Sequence, residues 1–276
     1  MAFLLDGENT NIYPTIIQTE RPDLVATALL EGKVAIIVDT SPYVLILPAF
    51  FADFINPNID NYNKNINVNF IKIIRFLAFF ISMIFPALYI ALIDYNQETI
   101  PTSLLLNFAI QRDGVPFPAF LETVIMLLIC EILRESDLRF PSSYGSAISI
   151  LGAIIIGEAS VSAGIVSPIM IIVVATTFIS SLIITNSEMN NALRFFRTIF
   201  LILSGLFGLY GILLAFYFFI IYTTNTKTFN KPYFAPIVPF EKNYFFNVVL
   251  KRPIKKDTKR SKLLVKKNFT KERNNL

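Results

Sequence analysis

Histidine and tryptophan are missing from this 276-residue chain, and cysteine occurs once. Without histidine there is no Ser-His or Cys-His catalytic pair, no imidazole metal site and no imidazole proton relay. The single Cys130 lies in an apolar run, so it offers neither an internal disulfide nor a thiolate metal cluster. Charge is scarce as well: Asp, Glu, Lys and Arg make up 16% of the residues, against about 25% in soluble domains. The sequence carries no Walker-type loop, no GxGxxG and no metal-spaced cluster. Ser41-Pro42 and Ser167-Pro168 are turn or kink chemistry rather than nucleophile elbows. These absences point away from an enzyme and call for no cofactor and no metal.

What is abundant is apolar surface. Hydrophobic residues are 54% of the chain and the mean hydropathy is +0.58. The fold class predicted is an α-helical integral membrane protein. It would have about four to five transmembrane helices and a re-entrant segment, preceded by the remnant of an α/β cytoplasmic domain. Residues 1–30 do not read as a signal peptide, because Asp6, Glu8, Glu20, Arg21 and Asp23 interrupt the start. Insertion is expected at the first internal apolar segment, with the N-terminal region left on the cytoplasmic side.

Three regions are expected. Residues 1–60 read as the C-terminal portion of a soluble cytoplasmic domain. Leu24–Leu30 is a short helix candidate, Lys33–Asp39 (KVAIIVD) a β-branched buried strand, and Tyr43–Phe54 an apolar stretch broken by Pro48. Residues 56–69 form an Asn-rich linker or interfacial loop. Residues 61–240 form the membrane domain, with apolar segments at Phe76–Ile93, Val115–Leu133, Ala147–Val166, Ile165–Ile184 and Thr198–Tyr222. A hydrocarbon core of ~30 Å takes about 20 helical residues, so each is long enough to cross. Val115–Leu133 is proline-flanked and doubly acidic, and it fits a re-entrant piece, as does the shorter Leu104–Ile110. Residues 241–276 form a basic tail. Eleven Lys/Arg and two acids in 251–276 give it +9 of a total of +4, leaving −5 for the rest. The positive-inside rule puts that tail, and the flank bearing Lys64, Lys72 and Arg75, in the cytoplasm. Two cytoplasmic ends require an even number of crossings, and four is the number expected. The tail reads either as a lipid-binding segment or as a solvated topology determinant.

Three glutamates, Glu122, Glu131 and Glu158, interrupt these runs. A carboxylate at the helix centre in a bilayer costs ~2.5–3.5 kcal/mol on insertion scales unless it is paired, protonated or hydrated. Glu158 sits among Gly152, Gly157, Ala159, Ser160, Ser162, Ala163 and Gly164, small residues that leave room for water or for a close neighbour. It suits a cation-attracting ring in an oligomer or a structural hydrogen bond. Glu122 and Glu131 are nine residues apart, about 180° around a straight helix, so they do not form one site. Glu131 is expected to pair with Arg134 at i+3. Glu122 follows the proline-bracketed GVPFPAF (114–120) and is a candidate for a polar pathway. The ion pathway assigned on these grounds is Glu122 and Glu158, with Gly157 and Gly164 shaping a constriction. Pro86, Pro116, Pro118 and Pro168 would kink or break helices around it. Gly205, Gly208 and Gly211, spaced by three, suit a close-packed helix seam, either within the chain or between copies.

Several stretches taken together resemble a known family. They are EGKVAIIVDTSPYVLILPAFFADF (31–54), IPTSLL (100–105), DGVPFPAFLE (113–122), CEILRESDLRFP (130–141), GEASVSAGIVSPIMIIVVA (157–175) and PYFAPIVPF (232–240). In content and order they are similar to the A subunit of GerA-type spore germination receptors, a family that includes a SpoVA-group paralogue. The resemblance covers residues 25–240. It implies a multi-pass protein of the spore inner membrane, acting with a transporter-like B subunit and a lipoprotein C subunit. It also implies a homo-oligomeric, nutrient-gated cation channel in contact with membrane lipid and not with nucleic acid. A non-conducting scaffold and a transporter subunit are the alternatives. The chain departs from the family in its N-terminal region: the EGKVAIIVD strand begins about thirty residues in, where family A subunits carry a sizeable preceding region. A fragment, a truncated paralogue or a misplaced start would each produce this.

Overall fold

Residues 11–55, 65–139, 145–184, 186–241 and 264–265 are described by the computed structural model. Residues 56–64 of the Asn-rich stretch 56–69 and nearly all of the basic tail lie outside them, while 65–69, expected as linker, are helical. The chain divides into two units, one made of Met1–Leu77, Ile184–Ala192 and Phe218–Leu276, the other of Ala78–Ile183 and Leu193–Tyr217.

The first unit holds a small antiparallel sheet. Strand β1 (Ile17–Thr19) is followed by helix α1 (Pro22–Glu31), strands β2 (Val34–Ile37) and β3 (Val44–Leu47), and a short helix α2 (Phe51–Ile55). Pro22 opens α1, where a missing N–H costs nothing, and Gly32 closes it at φ 94°, in the left-handed region that glycine adopts most readily. The helix predicted at 24–30 is therefore present and slightly longer. The sheet order is β1-β3-β2, with Ile17 opposite Ile46 and Val34 opposite Leu47. That order corrects the buried-strand expectation for KVAIIVD. β2 is an edge strand and Ile37 is 77% exposed, because the hydrophobic centre is taken by β3, where Leu45 and Ile46 are buried.

Two features lock this unit. Lys33 is buried, with its side chain 1% exposed, and its Nζ lies 2.6 Å from Asp53 Oδ2. The same oxygen accepts the Phe50 backbone N–H at 2.8 Å, so the pair is hydrogen-bonded on both sides, as a buried charge requires. Tyr13 stacks on Tyr233 with 5.1 Å between ring centroids and packs against Phe51 and Tyr222. Its hydroxyl shares a 2.8 Å hydrogen bond with Thr223 Oγ1, and burial pushes the phenol well above its ordinary pKa. The fully buried Tyr233 also accepts the Phe51 N–H on its carbonyl, so the PYFAPIVPF stretch closes this core.

The long helices follow. Helix α3 (Asn65–Ile90) runs through Pro86 without ending there and passes into a π-helical turn, Ala91–Tyr95. Helix α4 (Thr102–Arg112) has no buried residue. Helices α5 (Ala119–Arg139), α6 (Gly145–Ser162) and α7 (Pro168–Leu182) follow, with α5 packed against both α6 and α7. Helix α8 (Ser187–Asn225) leads to a two-stranded ribbon, β4 (Lys227–Thr228) and β5 (Lys231–Pro232). The core of the second unit gathers Tyr89, Ile90 and Ile93, Ala119 and Met126, Val166, Met170, Val173 and Val174, and Leu201.

By length and composition, two described helical stretches could cross a membrane, Val68–Tyr95 and Ser187–Asn225. The sequence had predicted four to five. Helix α7 spans only 15 residues, about 22 Å of rise, and α5 carries Glu122, Glu131, Arg134 and Glu135 along its length.

Helix α8 is not one rod. At Gly208 the backbone takes φ 60° and ψ −137°, which breaks the 39-residue helix into two arms. A straight helix of that length would run about 58 Å, nearly twice the hydrocarbon core. The spaced glycines make the break possible. A Cβ at Gly211 would collide with the Leu203 carbonyl oxygen on the other arm. One at Gly205 would meet the Phe120 ring at 2.5 Å, and one at Gly208 would meet Tyr95 Cβ at 2.7 Å. The Tyr95 hydroxyl donates to the Gly205 carbonyl, and Asn96 Oδ1 accepts the Leu209 N–H at 3.4 Å. The glycine seam therefore lies within the chain. Gly211→Ala and Gly208→Ala are each expected to destabilise the chain by about 2–4 kcal/mol, through overpacking and a forbidden backbone geometry. Denaturation in detergent, compared with an exposed Ala159→Ser control, measures the loss.

Candidate functional site

Glu122 lies in the first turn of α5 and is 0% exposed. Its Oε1 accepts two hydrogen bonds from Ser167, from the backbone N–H at 2.5 Å and from the hydroxyl at 2.7 Å. Ser167 is the N-cap of α7, and Pro168 follows at the first helical position. The carboxyl group therefore sits at the N-terminal ends of α5 and α7, where the partial positive charge of both helices favours it. Pro116 and Pro118 lie in the segment that feeds α5, and the Pro118 carbonyl accepts the Glu122 N–H at 3.1 Å. The prolines thus deliver Glu122 to the start of a helix, and Pro168 begins another.

Oε2 of Glu122 is buried without a hydrogen-bond partner. The phenol of Tyr89 is in the same neighbourhood, close enough to feel Glu122 and Ser167, with its oxygen also unbonded. Thr123 is fully buried and returns its hydroxyl to the Ala119 carbonyl at 2.7 Å. The site is therefore an enclosed polar cluster in an apolar core, with spare oxygen valence on Glu122 and Tyr89.

Glu158 is in a different setting. It is exposed on α6, in a stripe formed by Ile155, Glu158, Ala159 and Ser162. The spacings of three, four and seven put these on one helix face. Gly157 is half-buried, with Ile171 at van der Waals distance from where a Cβ would stand. Gly164, at φ 63°, lies in the turn between α6 and α7 and not in a helix. Glu122 and Glu158 are thus on different helices, one enclosed and one open.

Glu131 does not pair with Arg134. Its carboxylate contacts Arg194 and lies 3.8 Å from an Arg197 nitrogen, both on α8. Arg134 turns to α7 instead, donating to Ser181 Oγ at 2.7 Å, with its guanidinium 4.9 Å from the Phe178 ring centroid. Tertiary neighbours outcompete the i+3 pair because the local pair is weak. Ser167 and Tyr89 were not picked out from sequence as partners of Glu122. A Ser-Pro pair opening an apolar helix was the available signal, since it marks an N-terminus whose N–H groups need an acceptor. Among the described residues no group of three or more His, Cys, Asp or Glu could hold a metal ion.

The family of Bacillus/Clostridium GerA spore germination proteins matches over residues 1–263. This chain belongs to the GerA family. Among its relatives, spore germination protein KA of Bacillus subtilis is 42% identical over 265 residues, covering 96% of this chain and 49% of that one. GerLA of Bacillus cereus is 38% identical over 236 residues, covering 86% and 48%. The membrane protein YfkQ of Bacillus subtilis, itself uncharacterized, is 35% identical over 249 residues, covering 90% and 48%. This GerA-family chain spans about half the length of the curated relatives it matches. No solved structure matches it.

Removing the Glu122 side chain would leave two buried Ser167 donors without an acceptor and open a cavity between α5 and α7. Glu122→Ala is expected to cost about 3 kcal/mol, and Glu122→Gln, which keeps an acceptor oxygen, about 1 kcal/mol. Equal losses for the two variants in detergent denaturation would show that the hydrogen bonds to Ser167 contribute nothing.

Proposed function

We propose that this chain is a non-enzymatic membrane subunit of a nutrient germinant receptor that triggers bacterial spore germination. The observation that carries this reading is the family match along nearly the whole chain, with relatives named as spore germination proteins. In this reading it resides in the spore inner membrane as a multi-pass protein with both termini cytoplasmic. It works with a transporter-like B subunit and a lipoprotein C subunit. The membrane domain corresponds to residues 61–240, between a soluble region at residues 1–60 and the basic tail at 241–276, with four crossings and α5 re-entrant.

Exposure supports a bilayer setting. The most apolar window of Ser187–Asn225 is only 33% buried within the chain, whereas the core helix of a soluble protein is mostly buried. Leu206, Phe207, Tyr210, Leu213 and Tyr217 are all more than half exposed. So large an apolar surface calls for lipid or for further protein.

Within that complex the chain is a homo-oligomeric cation channel, with Glu158 facing the conduction path. An exposed carboxylate with Ala159 and Ser162 on the same helix face suits a ring of acidic side chains around an axis. Glu122 contributes to the path through its unbonded Oε2, with Gly157 and Gly164 shaping the constriction and Pro86, Pro116, Pro118 and Pro168 setting helix angles for gating. The enclosure of Glu122 and its bonds to Ser167 favour the second reading, a scaffold that conducts nothing and holds the receptor together.

Cation flux into liposomes containing the purified chain separates the two. A channel is expected to lose flux about tenfold or more in Glu158→Gln, since a charged cleft raises local cation concentration by that order. Flux and germination unchanged in a Glu122→Gln/Glu158→Gln double variant would rule out the conduction path.

A further inference from the structure

Arg194 and Arg197 of α8 meet a single carboxylate, Glu131 of α5, and Arg134 of α5 lies close enough for its charge to act on Arg197. Arg194 and Arg197 share it, and Arg197, a buried residue, stays 3.8 Å away, beyond hydrogen-bonding distance. Arg134 receives no carboxylate oxygen among its described contacts. Its Nε and Nη1 are buried without a partner, and only its other terminal nitrogen is bonded, to Ser181 Oγ. The three guanidiniums are close enough for the charges of Arg134 and Arg194 to act on Arg197. The nearby acid Glu135 is exposed at the end of α5. Buried cationic donors left without acceptors are costly, and the cost falls when an anion supplies several oxygens at once.

The surroundings say which anion. Arg197 directly precedes the apolar run Thr198–Tyr222. The exposed side chains on the same stretches of helix are aliphatic or aromatic: Leu128 and Ile132 on α5, Ile179 and Leu182 on α7, Phe195 and Ile202 on α8. A soluble phosphate would need the basic group but has no use for apolar side chains exposed on the same helices. A phospholipid uses both, its phosphate among the arginines and its chains along the apolar faces. Basic pockets between membrane helices take anionic headgroups in this way.

We propose that Arg134, Arg197 and Arg194 form a binding site for the phosphate of an anionic phospholipid at the junction of α5, α7 and α8. The site uses no residue of the Glu158 stripe or of the basic tail, and its lipid occupant rests on the membrane reading above. Arg134 supplies the unbonded donors, Arg197 the buried charge, and Phe178 holds the Arg134 guanidinium in place.

The test uses the full chain in nanodiscs of phosphatidylcholine with one part in five phosphatidylglycerol. A photoreactive residue at the exposed Ile179 reports the neighbouring lipid, and native mass spectrometry counts lipid retained. Phosphatidylglycerol is expected to be captured in preference to phosphatidylcholine. Arg134→Gln/Arg197→Gln should weaken that preference about thirtyfold, from roughly fivefold per basic side chain near a lipid surface. The double variant leaves the basic tail intact, so the tail cannot produce this difference. Arg134→Lys/Arg197→Lys, which keeps the charge, serves if the glutamine variant fails to fold, and it should retain most of the preference. Equal capture of the two lipids, or an unchanged preference in the glutamine variant, would overturn the site. Displacement of the lipid by millimolar inorganic phosphate would overturn the lipid assignment. Release of the chain from vesicles by alkaline carbonate would instead overturn the membrane reading, which is a separate result.

Discussion

A single carboxylate oxygen, Oε1 of Glu122, holds both polar groups of Ser167 and thereby ties the start of α5 to the start of α7. The core of the second unit is arranged around that contact, since Ala119 and Met126 on α5 and Val166, Met170 and Val173 in and around α7 are packed together beside it. Three charged side chains among the described residues find their partners inside the chain. Glu122 is placed at helix N-termini, Glu131 is set against arginines from another helix, and Lys33 is joined to Asp53 and backed by a backbone N–H. Each arrangement draws its partner from a distant stretch of the sequence. Each therefore fixes topology as much as it adds stability.

The second constraint is length. A straight 39-residue helix would run about 58 Å, and the break at Gly208 turns it into two shorter arms. Glycine is needed there because the conformation has positive φ, and Gly211 is needed because backbone from the other arm occupies the space a side chain would take. Tyr95 and Asn96, at the end of the π-helical turn of α3, complete the contact with their side-chain polar groups. Regular spacing of small residues thus serves a turn in one chain, although it looks the same in sequence as a dimer seam.

Local signals were readable in sequence and distant partners were not. The helix read at 24–30 is present at 22–31, and Ser167-Pro168, read as turn or kink chemistry inside an apolar run from Ile165, is the start of α7. Placing β2 at a sheet edge was not possible, because an apolar β-branched run looks the same whether its neighbours cover it or not. The pairing of Glu131 went to Arg194 and Arg197 instead of Arg134, since spacing along one helix carries no information about which second helix lies beside it. Apolar runs gave the existence of helices, and two described stretches are long and apolar enough to cross a bilayer where the sequence reading expects four to five. Hydropathy does not distinguish a helix bundled against its neighbours from one that reaches across a bilayer. Of the two acidic residues singled out for a pathway, composition flagged both, but only their burial separates the enclosed Glu122 from the open Glu158.

The first unit is assembled from both ends of the chain. Its sheet comes from residues 17–47, while the rings that pack on Tyr13 include Tyr222 and Tyr233. During synthesis the N-terminal piece emerges some two hundred residues before the segment that completes its core. The early strands must therefore wait, with their apolar side chains uncovered, until the last helix and the segment carrying Tyr233 have been made, and closure of this unit becomes a record that the intervening chain is complete.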